Sequence, residues 1–319
     1  MKQILGTLII FFGSLGIVQA AEKLRLAIST VDVGYLSAGV ADKQQFFKKE
    51  GLDVEVIRMN ATISVAAVLN GDIDYTMAFG SVIRSAIRGL PVRVVACLLD
   101  KSSHSLLAHP DFKSIPELRG KTLGVSSFGA TADVVARLMF RHHGVDPDKE
   151  MKIVALGAGS ARFASLKEKI VDVVVVSPPA DAEGKKMGFH ILERAQDLFS
   201  FPNVGLGTSV KKIKEKPEEV RKITKALIRA NRFIRENREG TIQILADWGR
   251  TGREYAAASY DSSWAVFNLN GSIPEEGLRL VLDQAKKDAK ISREIPLAEV
   301  SDLTILREAQ QELGVAKTP

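Results

Sequence analysis

Residues Leu24–Ser29 read LRLAIS, and a similar strand-like segment, Thr122–Ser126 (TLGVS), begins 98 residues further along the chain. Two more pairs of apolar segments repeat at the same offset of 98, namely Val54–Arg58 with Lys152–Leu156, and Ile73–Ala78 with Val171–Val176. Short apolar runs rich in valine and isoleucine are typical of buried strands in a parallel sheet. The repeat therefore predicts two similar α/β units in tandem.

Helix-compatible stretches separate the repeated strands in both units. The first helix of each unit ends at a glycine, which is the usual residue just past a helix C-terminus. The predicted helices are Ala38–Glu50 and Ile63–Leu69 in the first unit, and Ala132–His143 and Phe163–Glu168 in the second. This alternation of strand and helix predicts βαβ connections with right-handed crossovers and a parallel sheet in each unit.

The C-terminal third of the chain has a mostly helical pattern. Pro217–Asn237 combines an apolar stripe at helical spacing with a proline and two glutamates in its first turn, which suits the positive end of a helix. Similar patterns recur over Glu254–Phe267 and Glu275–Lys290. An amphipathic tail of this kind needs a surface to cover, and we expect the first unit to provide it.

The first twenty residues have the layout of a secretory signal peptide. Met1–Ala20 contains one early cation, Lys2, then the apolar run Ile4–Val18, then small residues suited to cleavage after Ala20. We therefore expect a soluble periplasmic protein. The alternative is an uncleaved anchor, although the run is shorter than the roughly 20 apolar residues of a membrane span. Export argues against nucleotide-driven cytosolic chemistry and DNA regulation.

Composition narrows the function classes further. The chain has 319 residues, of which 45% are hydrophobic and 26% charged, so a disordered or fibrous protein is excluded. Its single cysteine, Cys97, excludes an intramolecular disulfide and a cysteine-based zinc site. The net charge of +6 permits an anionic ligand. The basic run Lys211–Lys216 lacks interleaved aromatic residues, so we expect no nucleic-acid binding.

Candidate ligand-binding residues follow from the strand order. In doubly wound sheets, ligands bind beyond the carboxyl ends of the strands, where helix N-termini offer free N–H groups. The loops at these positions are rich in small and hydroxyl residues, which also cap helices, so capping alone would account for many of them. Two such sets facing each other would clamp a small polar or anionic ligand. The candidates are Thr30, Tyr35, Thr62, Ser64, Phe79, Gly80, Ser81, Ser127, Phe128, Gly129, Thr131, Ser160, Arg162 and Ser177.

Charged groups are rare among these loops. Arg162 is the only cation there, which makes it the best candidate for a charge partner of the ligand, while the alternative is a solvated residue in a first helical turn. Asp32 is the other obvious titratable group. Adjacent His142 and His143 would point about 100° apart on a helix, which is poor spacing for a metal ligand pair.

Four segments together resemble the substrate-binding proteins of ABC importers, in the branch that serves nitrate, sulfonates, taurine and thiamine-pyrimidine precursors. These segments are LRLAIS, FFKKEGLDVEV, AAVLNGDIDYTMA and LRGKTLGVSSFGA. The resemblance implies a type 2 periplasmic-binding-protein fold, in which each of two α/β lobes has a largely parallel sheet flanked by helices and a helical C-terminal tail lies on the first lobe. It implies a signal peptide over 1–20, lobe I over 21–106 and 208–319, and lobe II over 107–207. The chain would cross between the lobes near Ser105–His109 and Val204–Val210.

The same resemblance implies an exported solute-binding protein that delivers a small ligand to an ABC permease and its ATPase. The pyrimidine-synthase relatives use a cysteine-rich segment that is absent here, so that enzymatic activity is not expected. We also expect a monomer with no cofactor and no metal. A sensor feeding a membrane receptor and an enzyme acting on a small heterocycle are the alternatives. The loop Asn60–Ser64 departs from the family's usual glycine-serine stretch, and Ile63 is expected to narrow the pocket.

Overall fold

The computed structural model describes residues 23–315, so the predicted signal peptide and its cleavage after Ala20 lie outside the described residues. The described chain forms two five-stranded sheets. The first sheet contains β1 (Lys23–Ile28), β2 (Asp53–Arg58), β3 (Tyr75–Thr76), β4 (Val92–Leu99) and β10 (Val204–Ser209). The second sheet contains β5 (Ser105–Ala108), β6 (Thr122–Val125), β7 (Lys152–Ala155), β8 (Val173–Val176) and β9 (His190–Arg194).

The two sheets have the same topology, which confirms the predicted repeat and the two-lobed α/β fold. Their strand orders are β2-β1-β3-β10-β4 and β7-β6-β8-β5-β9. In each sheet four strands run in one direction, and the strand that follows a crossing from the other lobe, β10 or β5, is antiparallel to its neighbours. Each sheet is therefore largely parallel, and its one antiparallel strand ties it to the neighbouring lobe.

A pair of aspartates has the same role in both lobes. The Oδ2 atom of Asp74 accepts a hydrogen bond from the backbone N–H of Arg25 at 2.8 Å, and that of Asp172 accepts one from Thr122 at 2.8 Å. Each carboxylate thus fixes the third strand of a lobe to the first. The two aspartates are 98 residues apart, whereas their partners Arg25 and Thr122 are 97 residues apart. The structural offset between the lobes therefore differs by one residue between the first and the third strands.

The crossings between the lobes occur a few residues earlier than expected. The first crossing is the segment 100–104 between β4 and β5, and the second is 195–203 between β9 and β10. The expected positions, Ser105–His109 and Val204–Val210, are occupied by β5 and β10, which pair along their lengths within their own sheets. The lobe boundaries expected after residues 106 and 207 therefore fall inside strands.

Helices cover both faces of each sheet and form the C-terminal tail. The first lobe has α1 (Leu36–Lys43), α2 (Phe46–Lys49), α3 (Ala61–Asn70) and α4 (Phe79–Ala86). The second lobe has α5 (Thr131–His142), α6 (Pro147–Glu150), α7 (Gly159–Lys167) and α8 (Ala180–Lys186), and α9 (Ala195–Leu198) lies in the second crossing. The tail has α10 (Val210–Glu215), α11 (Pro217–Glu236), α12 (Arg238–Gly249), α13 (Arg253–Ser263), α14 (Glu275–Ala289) and α15 (Thr304–Glu312).

The helix predicted over Ala38–Glu50 is divided into α1 and α2. Gln45 separates them with a φ of 57°, a left-handed conformation that ends a helix. The break places Phe47 in the core, where it is 2% exposed, and sets the Phe46 ring edge-on against Phe233 of α11 with centroids 6.3 Å apart. Apolar periodicity predicted both helical pieces but could not locate this turn.

The tail packs on the first lobe, as expected, with α11 against α1, α2 and β4 and α14 against α4. Asn231 of α11 is fully buried; its amide donates to the carbonyls of Leu98 and Asn268 at 2.7 and 2.8 Å, and it accepts the Ser37 hydroxyl. The tail also reaches the second lobe, because α13 contacts α8. Within the described residues, no helix combines the length and apolar character that crossing a membrane requires.

Candidate functional site

A cavity of about 370 Å³ lies between the two lobes. Its walls come from the segment after β1, including the 3₁₀ turn Val33–Tyr35, and from the loops and helices after β6, β7 and β8. Its remaining lining includes Ser103 and His104 of the first crossing and Asn203 of the second. Both lobes and both crossings therefore contribute to one cavity, which is the arrangement that a hinged, ligand-enclosing cleft requires.

Five of the fourteen candidate residues line this cavity. They are Thr30, Tyr35, Thr131, Arg162 and Ser177. Two belong to the first lobe and three to the second, so the opposition of loops across the cleft is present in the structure. Their part in binding stays a prediction.

Ser64 and Phe79 have structural roles instead. The Ser64 hydroxyl is 1% exposed; it donates to the carbonyl of Ala61 at 2.8 Å and lies 2.7 Å from Oγ1 of Thr76. Phe79 is fully buried in the core of the first lobe. Neither could have been distinguished from a pocket residue by position in the sequence, because both lie at the strand–helix junctions where ligands bind.

The other first-lobe candidates lie beside the cavity. Thr62 is exposed, and its neighbour Ile63 is 60% exposed and does not line this cavity, so the expected effect of Ile63 on a ligand stays a prediction. Gly80 lines a smaller, separate cavity that also contains Arg84. Ser81 is 6% exposed and accepts a hydrogen bond from Arg84 at 3.0 Å. Thr131 lines both cavities, so the small cavity lies next to the cleft.

Four second-lobe candidates fall outside the lining. Ser127 and Ser160 are exposed, and Phe128 is 64% exposed, while Gly129 lies against α14 with its N–H bonded to Asp133 at 2.8 Å. Ser126 lines the cavity in place of its neighbours. The loop after β6 thus turns the side chain of Phe128 to the surface rather than into the cavity.

Arg162 of α7 is the one lysine or arginine among the described residues that line the cavity, and it is 4% exposed rather than solvated. Its Nε donates to the carbonyl of Val175 at 2.7 Å and its Nη1 to that of Gly157, while Nη2 has no hydrogen-bond partner within the described chain. No carboxylate of residues 23–315 forms an ion pair with it, and burial lowers the pKa of its guanidinium to about 10. Two carbonyls orient a cation whose charge is left without a counter-ion.

The N-terminus of α5 lies at the same cavity. Ala130, Thr131 and Ala132 line it, and no side chain caps this twelve-residue helix. The first N–H groups of an α-helix have no partner within the helix, and they carry the positive end of its dipole. Arg162 and the first N–H groups of α5 therefore lie at one enclosed space, where the carboxylate of Asp133, which is in the same turn and pairs with Arg137, offsets part of the helix dipole. The hydroxyls of Ser29, Ser126 and Ser177 supply further hydrogen-bonding groups.

His104 is the titratable group of the first crossing that faces the cavity. Its Nδ1 atom lies 2.7 Å from the hydroxyl of Ser102, and its carbonyl accepts the N–H of Ala195, the first residue of the second crossing. Burial, and secondarily the charge of Arg162, lower the pKa of His104 to about 4. The imidazole is thus neutral at physiological pH.

Asp32 caps the 3₁₀ turn rather than standing free in the cavity. Its Oδ1 accepts the N–H of Gly34 at 2.9 Å. Burial raises the pKa of this carboxyl, and hydrogen bonds from the backbone of Gly34 and Tyr35 and from the Thr30 side chain partly oppose the rise. The carboxyl therefore belongs to the local structure of the turn, although it lines the cavity.

Sequence reasoning missed the cavity residues of the crossings. Ser103, His104 and Asn203 line the cleft. They do not lie at strand–helix junctions, which are the positions from which the candidate residues follow. The signal that could have found Ser103 and His104 is the polar run Asp100–His104 between two apolar strands. Within residues 23–315, no cluster of three or more His, Cys, Asp or Glu side chains could hold a metal ion.

Two α/β lobes joined by two crossings around a polar cleft define the fold class of the periplasmic binding proteins. The chain belongs to the NMT1/THI5-like family, whose profile matches residues 36–240. This confirms the resemblance to the sulfonate and nitrate branch of substrate-binding proteins.

Individual relatives are distant. A protein of Brucella abortus (strain 2308), named as a candidate binding protein, is 24% identical over 229 residues, which cover 68% of this chain and 70% of the relative. The structure of the periplasmic aliphatic sulphonate binding protein SsuA from Escherichia coli gives a TM-score of 0.75 at 14% identity, with 89% of this chain and 94% of SsuA covered. The desulfurization enzyme DSZB gives 0.64 at 11% identity over 92% and 99% of the two chains. The fold is therefore shared by binding proteins and an enzyme.

Proposed function

We propose that this protein captures a small organic anion in the cleft between its lobes and delivers it to an ABC permease. The observation that supports the proposal is Arg162, which is buried against the cavity without a carboxylate partner. A buried charge is costly unless it is paired, and no carboxylate between residues 23 and 315 pairs with this one. A bound anion would supply the missing counter-charge.

The rest of the cavity suits the same ligand class. The uncapped N-terminus of α5 adds a second source of positive potential, and serine and threonine hydroxyls can donate to anion oxygens. A volume of about 370 Å³ fits a small molecule rather than a peptide or a nucleic acid. Val33, Tyr35 and Ala132 give the ligand's organic part an apolar contact surface.

We infer that the protein captures and delivers its ligand and does not transform it chemically. The cavity's titratable groups are Arg162, His104, Asp32 and Tyr35, and the Asp32 carboxyl is engaged by backbone N–H groups of its own turn. The relatives described above include binding proteins, and the family resemblance implies a periplasmic location and a permease with its ATPase. We propose that the chain acts as a monomer.

The first experiment is native mass spectrometry of a protein comprising residues 21–319, before and after mild denaturation. We expect the release of a molecule of defined mass that carries a sulfonate, carboxylate or comparable acidic group. Release of a cationic or uncharged molecule would overturn the proposed ligand class. Release of two molecules related by a bond cleavage would favour an enzyme.

Cell uptake separates transport from sensing. A strain that lacks the gene should lose uptake of the released compound, and the intact gene should restore it, whereas a gene encoding Arg162→Gln should not. Unchanged uptake together with loss of a transcriptional response to the compound would overturn delivery and favour a sensor. The variant Arg279→Gln is a matched control that should restore uptake, because Arg279 is exposed, pairs with Glu275 on the surface of α14 and does not line the cavity.

A further inference from the structure

His104 lies in the first crossing between the lobes, at the cavity where the proposed anion would bind. Its imidazole lines the cavity together with Arg162, and its peptide belongs to the first crossing. The His104 carbonyl accepts the N–H of Ala195, so His104 links the first crossing to the start of the second. Of the five histidines in the chain, the other four do not line this cavity.

We propose that His104 makes anion capture proton-linked, so that an anion held by Arg162 draws a proton onto the imidazole and is then held by two cations. This inference rests on the proposed function, and it adds a second charge partner that exists only in the bound state. In the empty cleft the imidazole is neutral because it is buried beside a cation. An anion that neutralises Arg162 reverses that electrostatic effect and favours the imidazolium.

The sign of the pH dependence follows from this change. Since the pKa of His104 is about 4 in the empty cleft and higher in the complex, the complex binds more protons than the free protein between the two values. Affinity for the anion should therefore rise as the pH falls through that window. The bound anion offsets the charge of Arg162 and not the burial, and each unit by which it raises the pKa of His104 should tighten binding about tenfold across the window.

Asp32 is the group that could imitate this behaviour. Its carboxyl lines the cavity, and burial raises its pKa, so its ionisation would also weaken anion binding as the pH rises. Tyr35 has a pKa raised by burial and stays neutral, and Arg162 stays charged. On the crossing itself, Asp100 and Lys101 precede His104 and do not line the cavity. The test must therefore separate His104 from Asp32.

The experiment measures affinity by calorimetry at pH 7.5 and pH 5 with nitrate, sulfate, ethanesulfonate and benzenesulfonate, which stay ionised throughout. We expect proton uptake on binding, seen as a dependence of the heat on buffer ionisation enthalpy, and tighter binding at pH 5. His104→Gln should remove both effects, whereas Asp32→Asn and the distant control His190→Gln should keep them.

Nuclear magnetic resonance of the His104 imidazole in the unmodified protein gives a second readout that does not depend on a variant. The imidazole should titrate at higher pH in the complex than in the free protein. Anion binding of equal strength at both pH values, or a pH dependence that is lost in Asp32→Asn and kept in His104→Gln, would overturn the inference while leaving the proposed function intact. Absence of binding by all four anions at both pH values would overturn both.

Discussion

Replacing Arg162 by glutamine tests whether the cleft is built around an unpaired cation. Glutamine removes the charge but keeps an amide N–H near the position of the Nε atom that donates to the carbonyl of Val175, while the bond to Gly157 is lost. Leaving a bound anion without its buried counter-charge costs about 2–4 kcal/mol, a range typical of truncated charge pairs. The Kd for the native anion should therefore rise about 30- to 1,000-fold.

The same substitution should not destabilise the empty protein. A guanidinium pKa lowered to about 10 corresponds to about 3 kcal/mol against the charged form in the folded state. Removing the charge relieves this cost, while the weaker bond to the carbonyl of Val175 and the lost bond to that of Gly157 cost about 1 kcal/mol each. The free energy of unfolding should consequently stay equal or rise by about 1 kcal/mol.

Titration calorimetry and thermal denaturation, with and without the anion, provide the assay. Arg194→Gln is the matched control, since it leaves the fully buried carboxylate of Asp181 without its partner. That control should lose about 3–5 kcal/mol of stability and keep the affinity of whatever fraction folds. If Arg162→Gln binds the anion as tightly as the unmodified protein, the reasoning about the cleft is refuted.

Three further substitutions test the packing and the limits of the site. Gly205→Ala should lower the melting temperature sharply, because a Cβ there would lie 2.4 Å from the carbonyl oxygen of Ala96 and 2.6 Å from the ring of Phe79. An unchanged thermal transition would contradict the close approach of β10 to β4. Asn231→Ala should lower the free energy of unfolding by about 2–4 kcal/mol, since it leaves the carbonyl of Asn268 without its donor and the buried hydroxyl of Ser37 without its acceptor. Chemical denaturation would measure the change. Phe128→Ser should change neither anion affinity nor stability by more than about 0.5 kcal/mol, because its side chain is 64% exposed; a large loss of affinity would show that the loop after β6 folds over the ligand.

The fold was largely predictable because it rests on local, repeated patterns. Valine-rich strands at a nearly constant offset, glycine at helix ends and the amphipathic Pro217–Asn237 helix each specify an element within a short window. The repeated aspartates, Asp74 and Asp172, even mark the same strand contact in both lobes. The crossings were less predictable, since Ser105–Ala108 and Val204–Val210 have the pattern of strands but pattern does not say to which sheet a strand belongs.

The site was predictable only in part. Thr30, Thr131, Arg162 and Ser177 follow strands or begin helices, and position alone found them. Ser64 and Phe79 occupy equivalent positions, yet one bonds to Thr76 and the other fills the core. Small polar residues at a strand end serve equally as caps, packing elements or ligand contacts, and only their neighbours in space distinguish these roles.

The sequence by itself determined two α/β lobes, the helical tail and a polar cleft at the helix N-termini, because burial of apolar strands and stripes dictates these features over short distances. Only the tertiary structure decided that Arg162 forms no ion pair with a carboxylate of residues 23–315 and that His104 shares its cavity. Ion pairing and burial depend on groups brought together from opposite lobes and from both crossings. The electrostatic character of the cleft is therefore a property of the closed, three-dimensional arrangement rather than of any one segment.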